Sequence, residues 1–274
     1  MILPQTIQQM RSVQDMLNIK DKVFLVTGAA GGIGRSTAAA FAQMGAKVAL
    51  MDIPATKSAL EKLSRTLMQA YCCECMYVTG DISDPTSVDA FLKEIVDAWG
   101  TIHIVHNNAG IGVWPDYADM PVDSWDKICK INLSGSYFVA RACGKLMKEH
   151  CHTGSIVTTA SVSATIVNTG PGYAATKAGV KHMSASLAME YAETGIRFNT
   201  VSYGYILSGM HKAAGNDEAV MALYNDMIRK TPMARMGNLD EVVGAVIYLG
   251  SDLSTFQTGT DVLVDGGLSI GRLK

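Results

Sequence analysis

The chain has 274 residues, of which 48% are hydrophobic and 18% charged, and its formal net charge is −2. This is enough apolar material for a core covered on both sides, and the charge offers no basic surface to nucleic acid. No apolar run approaches the ~18 residues of a membrane helix and the N-terminus lacks a signal-peptide pattern, so we expect a cytoplasmic protein without membrane or nucleic-acid partners.

The cysteines predict neither a disulfide framework nor a metal site. Three of the six crowd one segment and three fall in a helical region, unlike the spacing in small secreted domains. A closed zinc site needs about four ligands, and neither short cluster has a matching set elsewhere. We therefore expect reduced thiols and no metal at Cys72-Cys73-x-Cys75 and His150-Cys151-His152.

The first 20 residues are interpreted as an N-terminal extension. Apolar residues recur at helical spacing at Ile7, Met10, Val13 and Leu17, which predicts a short amphipathic helix packed on the body of the protein or on a neighbouring subunit.

Residues 21–274 then alternate between strand-like and helix-like stretches, without a linker or repeat. The predicted strands are 23–26, 47–51, 76–79, 102–106, 155–159, 197–202 and 261–264. The predicted helices are 32–44, 57–70, 85–99, 122–148, 173–193 and 239–249. This alternation predicts one α/β domain, a Rossmann-like doubly wound parallel sheet of about seven strands with helices on both faces.

In such a sheet, ligands bind beyond the carboxyl ends of the strands. The first strand ends at a glycine-rich turn, Thr27-Gly28-Ala29-Ala30-Gly31-Gly32-Ile33-Gly34. Glycines there permit a tight turn and close approach of a pyrophosphate, and the following helix presents N–H groups and partial positive charge to it. Taken alone, a purely structural glycine turn remains an open alternative.

Asp52 ends the second predicted strand, where a carboxylate can accept hydrogen bonds from both ribose hydroxyls of NAD. The same carboxylate repels the extra phosphate of NADP, and neither Gly31 nor Ile53 supplies a basic side chain for it. The sequence therefore predicts NAD as the cofactor.

Ser161, Tyr173 and Lys177 are the candidate catalytic residues. Tyr173 and Lys177 are four residues apart at the start of a predicted helix, so both side chains project from one face. Tyrosine titrates near ~10 in water, and a lysine cation together with an oxidised nicotinamide would favour its ionised form. Such a pair can act as a general acid or base.

Together these motifs resemble the classical short-chain dehydrogenase/reductase family over about residues 20–267. Further matching blocks are Asp81-Ile82, Asn107-Asn108-Ala109-Gly110, Asn132 and Val264-Asp265-Gly266-Gly267. The resemblance implies that Ser161 stabilises the substrate oxygen and that Asn132 holds a water in a proton relay behind Lys177. It also implies a homotetramer built from the helices at 122–148 and 173–193.

By the same resemblance, cofactor contacts extend along the strand ends. Outside the family pattern, Asp81 could be a helix cap, Asn108 a turn residue and Asn132 a polar packing residue. The implied cofactor-binding residues are Gly28, Gly31, Gly32, Ile33, Gly34, Asp52, Asp81, Ile82, Asn108, Ala109, Gly110, Tyr173, Lys177, Gly204, Ile206 and Ser208.

The chain departs from the family after the sixth strand, where Tyr203 replaces the usual proline. Its ring either forms a wall of the cofactor or substrate pocket, or packs between sheet and helices. The following loop, about residues 204–229, is predicted to be a mobile substrate lid, in which Met210, Met221 and Leu223 give apolar cover.

The predicted function is hydride transfer between NAD(H) and a secondary alcohol or ketone, with a sugar, polyol or related hydroxyketone as substrate. One alternative is a hydroxysteroid or other bulky alicyclic alcohol, since apolar and aromatic residues lie near the expected cleft at Trp114, Tyr203, Tyr205, Ile206 and Met210. A β-ketoacyl thioester reductase and a non-catalytic NAD-binding redox sensor also remain open.

Overall fold

The computed structural model describes residues 10–112, 119–150, 153–209 and 217–271. Seven parallel strands form one sheet in the order β3-β2-β1-β4-β5-β6-β7. The strands are β1 (Val23–Thr27), β2 (Lys47–Asp52), β3 (Cys75–Thr79), β4 (Ile104–Asn107), β5 (Gly154–Thr159), β6 (Ile196–Tyr203) and β7 (Asp261–Val264). The direction of winding reverses between β1 and β4, which confirms the predicted doubly wound parallel sheet.

Helices cover both faces of this sheet. They are α1 (Val13–Met16), α2 (Gly32–Gln43), α3 (Lys57–Tyr71), α4 (Pro85–Trp99), α5 (Val122–Ile128), α6 (Ser136–His150), α7 (Pro171–Glu190), α8 (Asp217–Lys230) and α9 (Val243–Gly250). Helices α2, α3 and α9 pack on one face, and α4, α6 and α7 on the other. Along β1, Leu25 points to the second of these layers, and Phe24 points to the first and stacks on Phe41 of α2.

Local sequence fixes the ends of α4. The Asp84 side chain accepts a hydrogen bond from the backbone N–H of Thr86, Pro85 occupies the first turn, and Gly100 ends the helix at φ +82°. Asp84, and not Asp81, is therefore the helix cap.

Three predicted helices differ from the structure. The stretch 122–148 is helical throughout, but a π-helical segment, Cys129–Gly135, separates α5 from α6. The stretch 239–249 becomes helical only at Val243, and residues 239–242 before it form a turn in which the Glu241 side chain accepts a hydrogen bond from the backbone N–H of Asn238. Of the N-terminal helix, only the single turn α1 is described, capped by Ser12, and Ile7 lies outside the described residues.

Within the described part of the chain, no helix is both long enough and apolar enough to cross a membrane.

Candidate active site

One cavity of about 840 Å³ runs along the carboxyl ends of the strands. It spans the switch point between β1 and β4, where a doubly wound sheet leaves a crevice. All but two of the predicted site residues line it: Gly28, Gly31, Gly32, Ile33, Asp52, Asp81, Ile82, Asn108, Ala109, Gly110, Ser161, Tyr173, Lys177, Gly204, Ile206 and Ser208. The two that do not are Gly34 and Asn132.

The glycine turn fits closely against its neighbours. Gly28 has φ +69°, and a Cβ there would lie 2.9 Å from the Cα of Ala109. A Cβ on Gly34 would lie 2.3 Å from the carbonyl oxygen of Gly28, so Gly34 serves the packing of α2 against the turn. No side chain caps the N-terminus of α2, and Gly31, Gly32 and Ile33 at its start line the cavity, so this helix end is a suitable position for a pyrophosphate.

Asp52, the last residue of β2, lies beside the glycine turn, and two backbone N–H groups hold its carboxylate in place. One oxygen accepts a hydrogen bond from the backbone N–H of Ala30 at 2.9 Å, and the other accepts from the N–H of Ile53 at 2.8 Å. The acidic group therefore lies beside the turn, where the dinucleotide's adenosine ribose is expected.

The next two strand ends carry Asp81 and Asn108. Asp81 accepts a hydrogen bond from the N–H of Ser83 at 2.8 Å and shapes the turn before α4. The Asn108 amide donates to the carbonyl oxygen of Thr27 at 3.1 Å and accepts from the hydroxyl of Thr159 at 3.2 Å. Asn108 thus ties the ends of β1 and β5 together while lining the cavity.

The catalytic candidates meet at the opposite end of the cavity. Lys177 is 3% exposed, and its ammonium group donates to the carbonyl oxygen of Thr159 at 2.8 Å. The Lys177 nitrogen lies 5.7 Å from the centre of the Tyr173 ring. Ser161 follows β5 and forms a hydrogen bond with Tyr173. The structure therefore brings together the three residues that the sequence singled out.

Burial dominates the titration of this pair. It raises the pKa of Tyr173 to about 12, against a smaller lowering by the hydrogen bond to Ser161. Burial also lowers the pKa of Lys177 to about 8. The sequence led us to expect that Lys177 lowers the pKa of Tyr173. In this arrangement the protein's own groups do not lower it.

Asn132 is fully buried in the π-helical segment, near Lys177. Its side chain accepts from the N–H of Ile111 at 2.8 Å and donates to the Ile111 carbonyl oxygen at 2.9 Å. A Cβ on Gly110 would lie 3.2 Å from the Asn132 oxygen and 3.6 Å from the Lys177 nitrogen. Asn132 therefore fixes the segment after β4 that passes next to Lys177.

Tyr203 behaves as a packing residue. Its side chain is 4% exposed, and its hydroxyl donates to the carbonyl oxygen of Val242 at 3.1 Å, inside the layer between the sheet and α9. Burial raises its pKa. Tyr203 borders the cavity, but its hydroxyl points into the core, so the wall interpretation finds little support.

The region after Gly204 differs from the predicted loop. Gly204 packs against the end of β7, where a Cβ would lie 2.8 Å from the Cα of Asp265, and Ile206 bridges to Gly237. Helix α8 occupies the second half of the predicted lid, and its Leu223 lines the cavity whereas Met221 is exposed. Trp114 and Met210, which the sequence placed near the cleft, lie outside the described residues.

Sequence reasoning missed part of the cavity wall next to Ser161. The Ser161 hydroxyl donates to the Ser163 hydroxyl at 3.1 Å, which donates to the amide oxygen of Asn168 at 2.7 Å. Ser163 lies only two residues after Ser161, and its position in the sequence does not show that it lines the cavity. Asn168 carries no signal in a single sequence, because it lies in an irregular segment before α7.

The comparisons with known proteins agree with this geometry. A family model described as "Enoyl-(Acyl carrier protein) reductase" matches residues 28–269. A sorbose reductase of Candida albicans is 37% identical over 97% of this chain and 93% of its own. An NADP-dependent mannitol dehydrogenase of Hypocrea jecorina is 34% identical over 97% of this chain and 98% of its own.

Among solved structures, a short-chain type dehydrogenase/reductase from Mycobacterium marinum superposes with a TM-score of 0.84 at 32% identity. The match covers 94% of this chain and 99% of that one. Both the near-complete coverage and the site geometry lead to the same conclusion. The chain belongs to the classical short-chain dehydrogenase/reductase family.

Proposed function

We propose that this protein is an NAD(H)-dependent oxidoreductase that interconverts a secondary alcohol and a ketone on a sugar, polyol or related hydroxyketone. The observation that carries the proposal is that one continuous cavity is lined both by Asp52 and by Ser161, Tyr173 and Lys177. A dinucleotide held at the glycine turn would reach from the first group to the second.

When bound, the nicotinamide supplies or accepts the hydride. The protein's residues handle the proton: Tyr173 gives it to the ketone oxygen in reduction and takes it from the hydroxyl in oxidation. Ser161 donates a hydrogen bond to that same oxygen and stabilises the charge that develops there. Lys177 is anchored on Thr159 and places a donor next to the tyrosine, where it would also bond the nicotinamide ribose.

The preference for NAD rests on Asp52. Its carboxylate is oriented by two backbone N–H groups and would meet the ribose hydroxyls, whereas a 2′-phosphate there would face an anion. The mannitol dehydrogenase relative is NADP-dependent, so cofactor choice is a property that must be measured for this chain.

The substrate class rests on two named relatives and on the polar wall of the cavity at Ser163 and Asn168. Of the residues that suggested a steroid or other bulky alicyclic alcohol, Tyr203, Tyr205 and Ile206 line the cavity, so this alternative is tested beside the sugars. The alternative of a β-ketoacyl thioester reductase agrees less well with Asp52, since those reductases mostly use NADP. A redox sensor would not need the assembled serine, tyrosine and lysine.

A substrate panel tests the proposal directly. We expect NADH to form from NAD with hexitols such as mannitol or sorbitol, and NADH to be consumed with ketoses such as sorbose or fructose. A bulky alicyclic alcohol and a β-ketoacyl thioester, each tested with both cofactors, cover the alternatives. Tight NADH binding without turnover of any of these compounds would instead favour the sensor.

We also propose that the enzyme is a cytoplasmic homo-oligomer, with a tetramer as the expected state. Apolar side chains are exposed along the helices implicated by the family resemblance, with exposures of 74% for Val122, 40% for Trp125 and 80% for Met189. The cysteines Cys72, Cys73, Cys75, Cys129 and Cys143 are unpaired thiols, as in reducing compartments. Light scattering on the purified protein measures the oligomeric state, and imaging of a tagged chain measures its location.

A further inference from the structure

We propose that Ser163 and Asn168 form a subsite for the hydroxyl group on the carbon next to the reacting one. The enzyme would then prefer vicinal diols and α-hydroxyketones to simple secondary alcohols and ketones. This inference rests on the proposed function, because it assumes that the reacting oxygen lies on Ser161 and Tyr173.

The first step is the direction of the hydrogen bonds. Ser161 donates to Ser163 at 3.1 Å, and Ser163 donates to the amide oxygen of Asn168 at 2.7 Å. The backbone N–H of Ser163 also donates to the Ser161 hydroxyl oxygen at 3.2 Å. The proton of Ser163 is therefore directed at Asn168, away from Ser161.

The second step is what a substrate changes. A serine hydroxyl has one proton and two lone pairs, so Ser161 cannot donate fully to the reacting oxygen and to Ser163 at once. When Ser161 donates its proton to the substrate, Ser163 still donates to Asn168. The lone pair of Ser163 that had accepted the proton of Ser161 then has no donor. Ser163 is 8% exposed, and such a group needs a replacement donor.

The third step is the match to a diol. A hydroxyl on the neighbouring carbon can donate to the Ser163 oxygen and accept from the amide nitrogen of Asn168, whose oxygen is already bonded to Ser163. The two serine oxygens are 3.1 Å apart, similar to the spacing of adjacent hydroxyls in a gauche diol. One diol can therefore engage Ser161 and Ser163 together.

A simple alcohol offers only hydrocarbon at that position. It would leave the oxygen of Ser163 and the amide of Asn168 against an apolar surface, and a site built to bond a hydroxyl discriminates strongly against an analogue that lacks it. The subsite therefore acts on specificity and is separate from the proton transfer by Tyr173.

The experiment measures kcat/KM of the full-length protein for matched pairs: 2,3-butanediol against 2-butanol in oxidation, and sorbose against 2-hexanone in reduction. For the wild type we expect the hydroxylated member to be favoured by at least ~100-fold. Ser163→Ala and Asn168→Leu should each lower that ratio by ~tenfold or more. Ser186→Ala, on an exposed face of α7, is the matched control and should leave it unchanged.

The ratio separates specificity from general damage, because both members of a pair use the same proton transfer. If both variants, with wild-type melting temperatures, lose activity equally on both members, the pair only orients Ser161 and the subsite is refuted. A wild-type ratio near one also refutes it. If the wild type turns over none of the four compounds with either cofactor, the proposed function itself fails and the subsite with it.

Discussion

The ammonium nitrogen of Lys177 lies 5.7 Å from the centre of the Tyr173 ring, close enough for its charge to act on the phenol. Burial nevertheless raises the pKa of Tyr173 to about 12 and lowers that of Lys177 to about 8. The protein's own groups therefore keep the tyrosine protonated, the form that donates a proton to a ketone. Alcohol oxidation needs the phenolate, and the positive ring of an oxidised nicotinamide would favour it.

Replacing Tyr173 with phenylalanine should abolish turnover and leave the cofactor site intact. The hydroxyl carries the proton, an effect of at least ~100-fold on kcat, whereas the ring and its packing are retained. We expect NADH to bind within a few-fold of wild type, measured by fluorescence titration. A mutant that kept more than a tenth of the wild-type rate would show that another group is the acid or base.

Replacing Asp52 with asparagine should narrow the preference for NAD over NADP. Asparagine keeps the size and an acceptor for the N–H of Ala30, but it removes the negative charge that would face a 2′-phosphate. The ratio of kcat/KM for the two cofactors should fall by ~tenfold or more, which corresponds to about 1.4 kcal/mol. Asp52→Ala should act in the same direction, with a larger loss of NAD affinity. Equal use of both cofactors by the wild type would contradict the role given to Asp52.

Helix α8 should gain protection from hydrogen exchange when cofactor and substrate bind together. Leu223, Met227 and Lys230 of this helix line the cavity, so a bound sugar would hold it down. We expect slower exchange over residues 217–230 with NADH and a ketose than with NADH alone. Helix α4, none of whose residues lines the cavity, serves as the reference. Equal exchange of α8 in both states would show that this helix is not a substrate lid.

The layered fold could be predicted because periodic apolar runs report burial directly. Leu25 and Phe24 alternate between the two helix layers, as a strand covered on both faces requires. The Tyr-x-x-x-Lys spacing and the resemblance to the short-chain dehydrogenase/reductase family then identified Ser161, Tyr173 and Lys177 as site residues. The π-helical segment around Asn132 could not be predicted, and neither could the paired bonds of that side chain to the backbone of Ile111, which is distant in the sequence.

Side-chain direction was the other property that the sequence did not determine. Tyr203 is the last residue of β6, at the edge of the sheet where ligands bind, and either direction of its ring suits an amphipathic residue. The choice depends on Val242, a residue of distant sequence position whose carbonyl oxygen accepts the hydroxyl. Asn168 could not be identified from the sequence for a similar reason, because its hydrogen bond to Ser163 is evident only in the folded structure.

Replacing Tyr203 with phenylalanine should lower stability and leave catalysis nearly unchanged. The buried carbonyl of Val242 loses its donor, which typically costs about 0.5–1.5 kcal/mol. We expect a fall in Tm of roughly 2–4 °C per kcal/mol, with kcat/KM within about twofold of wild type. Tyr71→Phe, at an exposed tyrosine, is the control and should not shift Tm. An unchanged Tm together with a several-fold change in kcat/KM would restore the pocket-wall interpretation.

His106 links the two halves of the site from within β4. Its ring nitrogens lie 3.0 Å from the hydroxyls of Thr37 in α2 and Thr159 in β5, and the side chain is fully buried. Thr159 also anchors Lys177 through its carbonyl oxygen. Burial lowers the pKa of His106 to about 3, from an ordinary value of 6.5.

This shift predicts a defined acid sensitivity. Between pH 6.5 and about 3 the unfolded chain binds a proton at this histidine and the folded chain does not, so stability falls as pH decreases through that window. In His106→Gln that contribution is removed, and the free energy of unfolding should decline less steeply with acid, even if the variant is less stable at pH 7. Urea titrations at a series of pH values measure both slopes, with His182→Gln, at an exposed histidine, as the control. Equal slopes in wild type and His106→Gln would mean that His106 titrates in the folded protein much as it does in the unfolded chain.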